Sequence, residues 1–185
     1  MVVLVLKGMS DMYKKYPCPY FSGGLPAYHM PCPLMDMDYE EEDYDSIELR
    51  DFGPEPFVLN INEASKENNN FRTAIWTGRH LQVTLMSINV GEDIGLEIHP
   101  DIDQFIRIEE GRGIVKMGDR KDRLNFQRRV QDDFAFVVPA GTWHNLINTG
   151  NIPIKLYSIY APPQHPRGTV HKTKADAEAA EKKRD

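Results

Sequence analysis

The stretch GLEIHPDIDQFIRIEEG, residues 95–111, carries polar side chains where the surrounding pattern predicts buried strands. Glu97 and His99 are two residues apart, so on an extended chain they point to the same side. Gln104 follows five residues after His99, beyond a Pro-Asp turn. A polar group that is buried without a partner costs about 1–3 kcal/mol, and a charged group costs more. We therefore predict that these three side chains share a partner.

A second segment, DDFAFVVPAGTWHNLIN, supplies a further candidate ligand. Its pattern predicts a strand that ends at Pro139, a turn at Gly141, and His144 at the start of the next strand. Two imidazoles, one carboxylate and one amide oxygen suit a first-row divalent metal. We predict one such ion, Fe, Mn, Ni, Zn or Co, and four ligands: Glu97, His99, Gln104 and His144.

Most of the chain has the pattern of short strands. From Phe57 onward, segments rich in β-branched and aromatic residues recur at roughly ten-residue spacing, with Gly, Asn and Asp between them. The segments include PFVLNIN, FRTAIWTG, RHLQVTLMSINVG, GLEIHP, DQFIRIEEG, RGIVKMGD, DFAFVVPAG, TWHNLINTG and IKLYSIYAP. This spacing predicts an all-β sandwich or barrel, with no helix of useful length inside it.

The two ends of the chain differ from this middle part. The first 45 residues hold six of the eight tyrosines and six of the eight methionines, and residues 36–45 include seven acidic residues. Such a segment lacks the apolar periodicity of a packed element. The tail TKADAEAAEKKRD is typical of a short polar helix on the surface, with Thr173 and Asp176 spaced as a capping box. We predict an irregular arm over residues 1–50, a barrel over 51–165 and a polar helical tail over 166–185.

Composition excludes several classes of function. A formal net charge of −6 argues against a nucleic-acid surface. No apolar run approaches the ~20 residues of a membrane span. The opening MVVLVLKGMS lacks the leading positive charge of a secretory signal, and two cysteines do not indicate a disulfide scaffold. We expect a cytoplasmic protein whose partner is a small molecule, with no nucleic acid and no membrane.

The two polar segments resemble the two motifs of the cupin family. The first motif reads G-x5-H-x-H-x4-E-x6-G, and its positions are occupied here by Gly91, Glu97, His99, Gln104 and Gly111. The second reads G-x5-P-x-G-x2-H-x3-N, and its positions are occupied by Asp133, Pro139, Gly141, His144 and Asn148. The resemblance covers residues 56–162. It implies a double-stranded β-helix, a jelly-roll barrel whose mouth holds the metal, and a homodimer.

Two positions depart from the first motif. Glu97 stands in place of its first histidine, and Gln104 stands in place of its glutamate. The number of carboxylates therefore stays at one, which favours a site that still binds metal. The alternative is a cupin that has lost its metal, in which Glu97 and Gln104 hydrogen-bond the histidines.

The resemblance implies a metal-dependent enzyme that acts on a small polar substrate. Isomerisation of a sugar or sugar phosphate, as in mannose-6-phosphate isomerase, is the first expectation. An Fe(II) dioxygenase and a non-catalytic cupin whose acidic arm binds a partner are the alternatives. His80 is the candidate catalytic base, because it shares strand parity with Gln82, Thr84 and Met86.

Overall fold

The structure is a computed structural model in which residues 48–182 are defined. Nearly all of the predicted arm, residues 1–47, and the last three residues lie outside this range. Residues 48–182 contain two helices, α1 (Ile61–Glu67) and α2 (Lys174–Glu181). The same range contains nine strands: β1 (Arg72–Thr77), β2 (Gln82–Ile88), β3 (Asp103–Glu110), β4 (Arg112–Gly118), β5 (Phe126–Gln131), β6 (Ala135–Val138), β7 (Trp143–Asn148), β8 (Ile154–Ala161) and β9 (Val170–His171).

The strands form two antiparallel sheets. The larger sheet has the order β6-β3-β8-β2-β1-β9, and the smaller has the order β5-β4-β7. Apolar side chains from both sheets form the main core, including Ile106 and Leu156 from the larger sheet and Val115 and Leu146 from the smaller. Two sheets that close over one apolar interior form the predicted all-β barrel, a double-stranded β-helix.

The interior of the barrel changes from polar to apolar along its length. Three rows of side chains cross β3, β8 and β2 on the inner face: Gln104–Tyr160–Gln82, then Ile106–Ser158–Thr84, then Ile108–Leu156–Met86. The last row lies in the apolar core, whereas the first row is entirely polar and no more than 1 % exposed. We call this polar end of the interior, lined by Gln104, Tyr160 and Gln82, the cup.

The segment PFVLNIN is not a strand. It is irregular up to Asn60, and α1 starts at Ile61. The Asn60 side chain accepts a hydrogen bond from Glu63 N, which caps the helix. Ala64 and Ile61 then pack on the outer face of the larger sheet, against Leu85. The Asn-x-x-Glu spacing is a helix-start signal that outweighs the strand propensity of the apolar residues before it.

The C-terminal segment packs on the barrel more closely than a surface appendage would. The capping box is confirmed, since Asp176 N donates to Thr173 Oγ1 and Thr173 N donates to Asp176 Oδ2. However, Ala177 is only 3 % exposed and belongs to the main core, and β9 pairs with β1 at the edge of the larger sheet. Lys174 also pairs with Asp93. Alanine on one helix face is therefore sufficient to dock a helix of low overall hydrophobicity.

The motif glycines occupy turns that require them. Gly111 has φ of +91°, and a Cβ there would lie 2.8 Å from Pro153 O. Asp133, where the family motif has glycine, also has positive φ, at 67°. Asp is one of the few other residues that tolerate this region. The turn geometry of the motif is therefore retained despite the substitution.

In the range 48–182, neither helix has the length or apolar character needed to cross a membrane.

Candidate metal centre

Backbone pairing brings the two motif segments together. Glu97 and His144 form an isolated antiparallel bridge, in which Glu97 N donates to His144 O at 3.1 Å and His144 N donates to Glu97 O at 2.9 Å. Gly141 N donates to His99 O at 2.8 Å. Pro100 has no N–H to extend this pairing, and GLEIHP contains one isolated bridge, at Glu97, rather than a continuous strand. The pairing places the Glu97 and His144 side chains next to each other.

Glu97, His99 and His144 form a compact group of potential ligands. One ligand atom from each lies within 4.8 Å of the other two. Glu97 Oε1 is 3.2 Å from His144 Nε2 and 3.5 Å from His99 Nε2. His144 is fully buried, and His99 is 6 % exposed. The predicted carboxylate and both predicted imidazoles therefore converge on one point.

The histidine nitrogens fit a metal better than they fit a hydrogen-bond network. His99 Nε2 and His144 Nε2 are buried, and neither has a hydrogen bond of acceptable geometry, even to the nearby Glu97. His144 Nδ1 lies 3.0 Å from Thr142 O. A carbonyl oxygen can only accept, so Nδ1 carries a proton, and Nε2 is the atom that would bind a metal. A divalent cation at the point of convergence would satisfy these nitrogens.

The Glu97 carboxylate is held in its ionised form. Burial alone would raise its pKa, but His144, His99 and the Arg72 guanidinium outweigh burial and hold the pKa well below its usual range. Its side chain is 18 % exposed. A metal ligand must be deprotonated, so this carboxylate is ready to bind a cation at neutral pH.

Gln104 lies in the cup, with its oxygen available. Its Nε2 donates to Ser158 Oγ at 2.9 Å, and its Oε1 is buried without a hydrogen-bond partner. Gln104 pairs across the sheet with Tyr160, whose ring contacts His99. A role as the fourth ligand stays a prediction, and the free oxygen is consistent with it.

His80 lies outside the strand from which its role was argued. It is an exposed residue in the turn between β1 and β2, since β2 begins only at Gln82. Strand parity therefore does not direct its side chain into the barrel. Its catalytic role stays a prediction, without support from its position.

Three buried polar residues near the ligands were not found from the sequence: Arg72, Tyr160 and His165. Arg72 is 1 % exposed and Tyr160 is fully buried. The Tyr160 ring meets both His99 and His165 edge-on, with centroid distances of 5.7 and 5.1 Å. An arginine at an inward position of the strand FRTAIWTG was the one available signal, because arginine is rarely buried without a partner.

These features define a class of protein. Residues 84–160 match the family model Cupin_2, described as the cupin domain. The two sheets form a double-stranded β-helix, and the Glu97–His99–His144 group lies where the two motifs meet. The chain belongs to the cupin family.

The chain is also similar to proteins whose names state no activity. The chain is 76 % identical over 133 residues to the uncharacterized protein YrkC of Bacillus subtilis (strain 168), covering 72 % of each chain. It is 69 % identical to BH2720 of Bacillus halodurans, whose crystal structure superposes with a TM-score of 0.70 and covers 70 % of this chain and 98 % of that one. A protein of Klebsiella pneumoniae with a double-stranded β-helix domain is 16 % identical, with a TM-score of 0.50, covering 64 % of this chain and all of that one. This last likeness shows the fold alone.

Proposed function

We propose that this protein is a metal-dependent enzyme that acts on a small polar substrate in the cup. The observation that supports it is the convergence of three ligand atoms within 4.8 Å, with both imidazole nitrogens buried and without hydrogen bonds. Glu97, His99 and His144 would hold the metal, and Gln104 Oε1 is the candidate fourth ligand. This donor set suits Fe, Mn, Ni, Zn or Co.

A bound divalent ion would polarise a substrate carbonyl or hydroxyl as a Lewis acid. Beside it the chain offers two buried groups that can hydrogen-bond a substrate, the His165 imidazole and the Tyr160 hydroxyl. Burial, together with Arg72, lowers the pKa of His165 to about 2, so this ring is neutral at neutral pH. Burial raises the pKa of Tyr160, against the opposing effect of Arg72, so its phenol stays protonated. The phenol can therefore donate a hydrogen bond, and the neutral imidazole can donate or accept one according to its tautomer. Neither shift makes its group a ready acid or base at neutral pH.

Isomerisation of a sugar or sugar phosphate is the reaction we favour. It requires a Lewis acid and a group that moves a proton between neighbouring carbons. A metal held by Glu97, His99 and His144 would supply the first, and His80 stays the predicted base.

Deuterium exchange across a panel of sugars tests this proposal. The metal-loaded protein is incubated in D₂O with aldoses, ketoses and their phosphates, and ¹H NMR follows the carbon next to the carbonyl. We expect deuterium to enter one of these sugars, and we expect His144→Ala to abolish the exchange while Glu92→Gln, at an exposed glutamate, retains it. A metal-loaded protein that exchanges no proton in the panel would contradict isomerisation.

An Fe(II) dioxygenase is the second candidate, because two histidines and one carboxylate are the ligand set of many non-haem iron oxygenases. An oxygen electrode separates the two reactions, since only the dioxygenase consumes O₂. A metal-loaded protein that neither exchanges protons nor consumes O₂ would favour a third function, that of a ligand-binding cupin.

Two further expectations stay predictions: the homodimer and the cytoplasmic location. Light scattering on the full chain measures the first. Fractionation of cells that express the full chain measures the second.

A further inference from the structure

The cup contains more buried polar groups than metal binding requires. Arg72 Nε and Nη1, the Tyr160 hydroxyl and His165 Nε2 are all buried without a hydrogen-bond partner. His165 is 7 % exposed. Its backbone is fixed, because His165 N donates to Gln82 Oε1 and His165 O accepts from Gln82 Nε2, both at 2.9 Å. These groups therefore have no hydrogen-bond partner among the described residues, and the backbone of His165 is held in place.

Arg72 is the most costly of these groups to leave unsatisfied. A buried charge without a partner is strongly unfavourable. The one ion pair of Arg72 among the described residues is with Glu181, at 3.9 Å, which is too long for a hydrogen bond. The Glu181 side chain is also 53 % exposed, so water weakens the interaction. The guanidinium thus has unused donors that face the protein interior.

Glu97 does not fully compensate the positive charge of Arg72. Arg72 contributes to the low pKa of Glu97, so the two groups lie within electrostatic reach of each other. However, the ion pairs of the described residues include no contact between them within 4.0 Å. Once Glu97 binds a divalent cation, its one negative charge faces two positive charges on the metal and one on Arg72. The loaded cup would then have an excess of positive charge.

The unsatisfied donors adjoin the candidate metal ligands. The Tyr160 ring bridges the two groups, because it contacts His99 on one side and His165 on the other. A small molecule bound to the metal could therefore extend an anionic group toward Arg72. Lys155, another cation of the larger sheet, already donates to Asn68 O and Asn69 Oδ1. A guanidinium whose ion pair with Glu181 is long matches a singly charged anion.

We propose that Arg72, with the Tyr160 hydroxyl and the His165 imidazole, binds the carboxylate of a small hydroxy or oxo acid in the cup. This inference rests on the proposed function and narrows its substrate class from small polar molecules to acids. A carboxylate accepts charge-assisted hydrogen bonds from a guanidinium and ordinary ones from a phenol and an imidazole N–H. It would satisfy the donors that the protein leaves without partners.

Binding measurements on the zinc-loaded protein test the assignment. Glycolate, malate and glucuronate are titrated by NMR and calorimetry, each beside an uncharged counterpart, with inorganic phosphate as a separate probe. We expect at least one acid to bind and its uncharged counterpart to bind at least about tenfold more weakly. Arg72→Gln should lower the affinity for the acid by about 10- to 100-fold, and Tyr160→Phe should lower it by up to about tenfold. Arg129→Gln, which changes an exposed arginine of β5, should have no effect.

Four results would overturn the assignment. They are the absence of binding by every acid, equal binding of acids and uncharged counterparts, unchanged acid binding in a folded Arg72→Gln protein, and a preference for phosphate over all acids. If Arg72→Gln does not fold, acid binding by Tyr160→Phe tests the proposal instead, because this variant loses one hydroxyl and keeps the ring contacts. Unchanged acid binding in Tyr160→Phe would then count against the proposal.

Measurement of the metal content distinguishes a failure of this proposal from a failure of the proposed function. We expect zinc content by elemental analysis to be unchanged in Arg72→Gln and Tyr160→Phe, because neither residue is a ligand. If the wild-type protein binds no metal at all, the proposed function fails. The same titrations on metal-free protein then show whether Arg72 binds acids independently.

Discussion

At the residue scale, the carboxylate of the first motif has moved from one ligand position to another. Glu97 occupies the place of the family's first histidine, and its Oε1 lies within 3.5 Å of both remaining histidines. Gln104 occupies the place of the usual glutamate and keeps a free oxygen in the cup. One carboxylate and two imidazoles are thus retained, which is a ligand set that suits first-row divalent metals.

Replacing Glu97 by glutamine tests this exchange directly. Glu97→Gln keeps the size of the side chain and removes its charge. Mutating a residue that hydrogen-bonds a metal ligand typically lowers metal affinity by about 10–100-fold. Removing the charge of a ligand itself should therefore lower the affinity by at least about 100-fold. Competition with a chromophoric chelator measures the affinity. Glu92→Gln, at an exposed glutamate, is the matched control, and equal affinities of the two variants would contradict the role of Glu97.

The low pKa of Glu97 also predicts how the metal-free protein responds to acid. A carboxyl whose pKa is lowered on folding stabilises the fold above its unfolded value, here 4.5, and this contribution is lost as the pH falls toward the folded value. The slope cannot exceed about 1.4 kcal/mol per pH unit for one proton. Urea unfolding at several pH values below 4.5 should therefore show a steeper loss of stability for wild type than for Glu97→Gln. If the free energies of unfolding of the two proteins fall in parallel with pH, the claim that folding stabilises the ionised Glu97 carboxylate is contradicted.

The sequence predicts some of these residues and not others, for a physical reason. Glu97, His99 and His144 belong to two short motifs. Their convergence can therefore be predicted from these two local patterns. The cluster of Arg72, Tyr160 and His165 depends on the register of β1, β8 and the segment after β8. Register between distant strands is set by packing, and a single sequence does not reveal it.

At the element scale, the turns and strand ends decide whether the ligands meet. The strand pattern of the middle of the chain predicts the barrel because period-two burial and turn residues are local signals. It misses α1 because the apolar residues of PFVLNIN fit either a strand or the lead into a helix. A capping interaction at Asn60 settles the choice in favour of the helix.

Gly111 should be the least replaceable of the motif glycines. In Gly111→Ala the new Cβ would approach Pro153 O to 2.8 Å and Ile154 Cα to 3.0 Å, at a φ of +91°. We expect a loss of about 2–4 kcal/mol in the free energy of unfolding, from strain and overpacking together. Gly91→Ala is the control, because its φ is +78° and nothing lies within 4 Å of the new Cβ. It should lose about 1 kcal/mol. Equal losses in urea unfolding would refute the steric part of the argument.

Asp51 should fasten the N-terminal edge of the barrel to the C-terminal segment. Its Oδ2 accepts from Thr77 Oγ1 at 2.6 Å and from Gly168 N at 2.8 Å, and its Oδ1 accepts from Gly53 N at 3.0 Å. Asp51→Asn replaces one acceptor oxygen by a donor and removes the charge, so we expect a loss of about 1–2 kcal/mol in unfolding free energy. Thermal and urea unfolding measure it. Asp132→Asn, at an exposed aspartate, serves as the control, and equal stability of the two variants would count against the three hydrogen bonds.

At the scale of the whole molecule, the barrel divides its interior between stability and chemistry. The apolar rows of β3, β8 and β2 meet the smaller sheet and form the core. The polar row at the other end, with Arg72 and His165, leaves buried donors and acceptors unsatisfied. Buried polar groups of this kind are commonly satisfied by ordered water, an ion or a ligand. Under the proposed function, a metal and a small molecule would complete the cup.

Metal binding should accordingly stabilise the whole fold. A ligand that binds only the folded state at a free concentration of 100 times its Kd adds about 2.7 kcal/mol. We expect a chelator to lower the Tm of the purified protein and added metal to restore it. The Glu97→Ala, His99→Ala, His144→Ala variant should show no such response. A Tm that chelator and metal leave unchanged in the wild type would contradict this coupling.

The most direct test of the metal centre is elemental analysis of protein purified without chelator. The wild type is compared with the Glu97→Ala, His99→Ala, His144→Ala variant and with His80→Ala, which changes an exposed histidine. We predict near-stoichiometric Fe, Mn, Ni, Zn or Co in the wild type and in His80→Ala, and its loss in the triple variant. Absence of metal from the wild type, even after incubation with each of these ions, would contradict the metal centre.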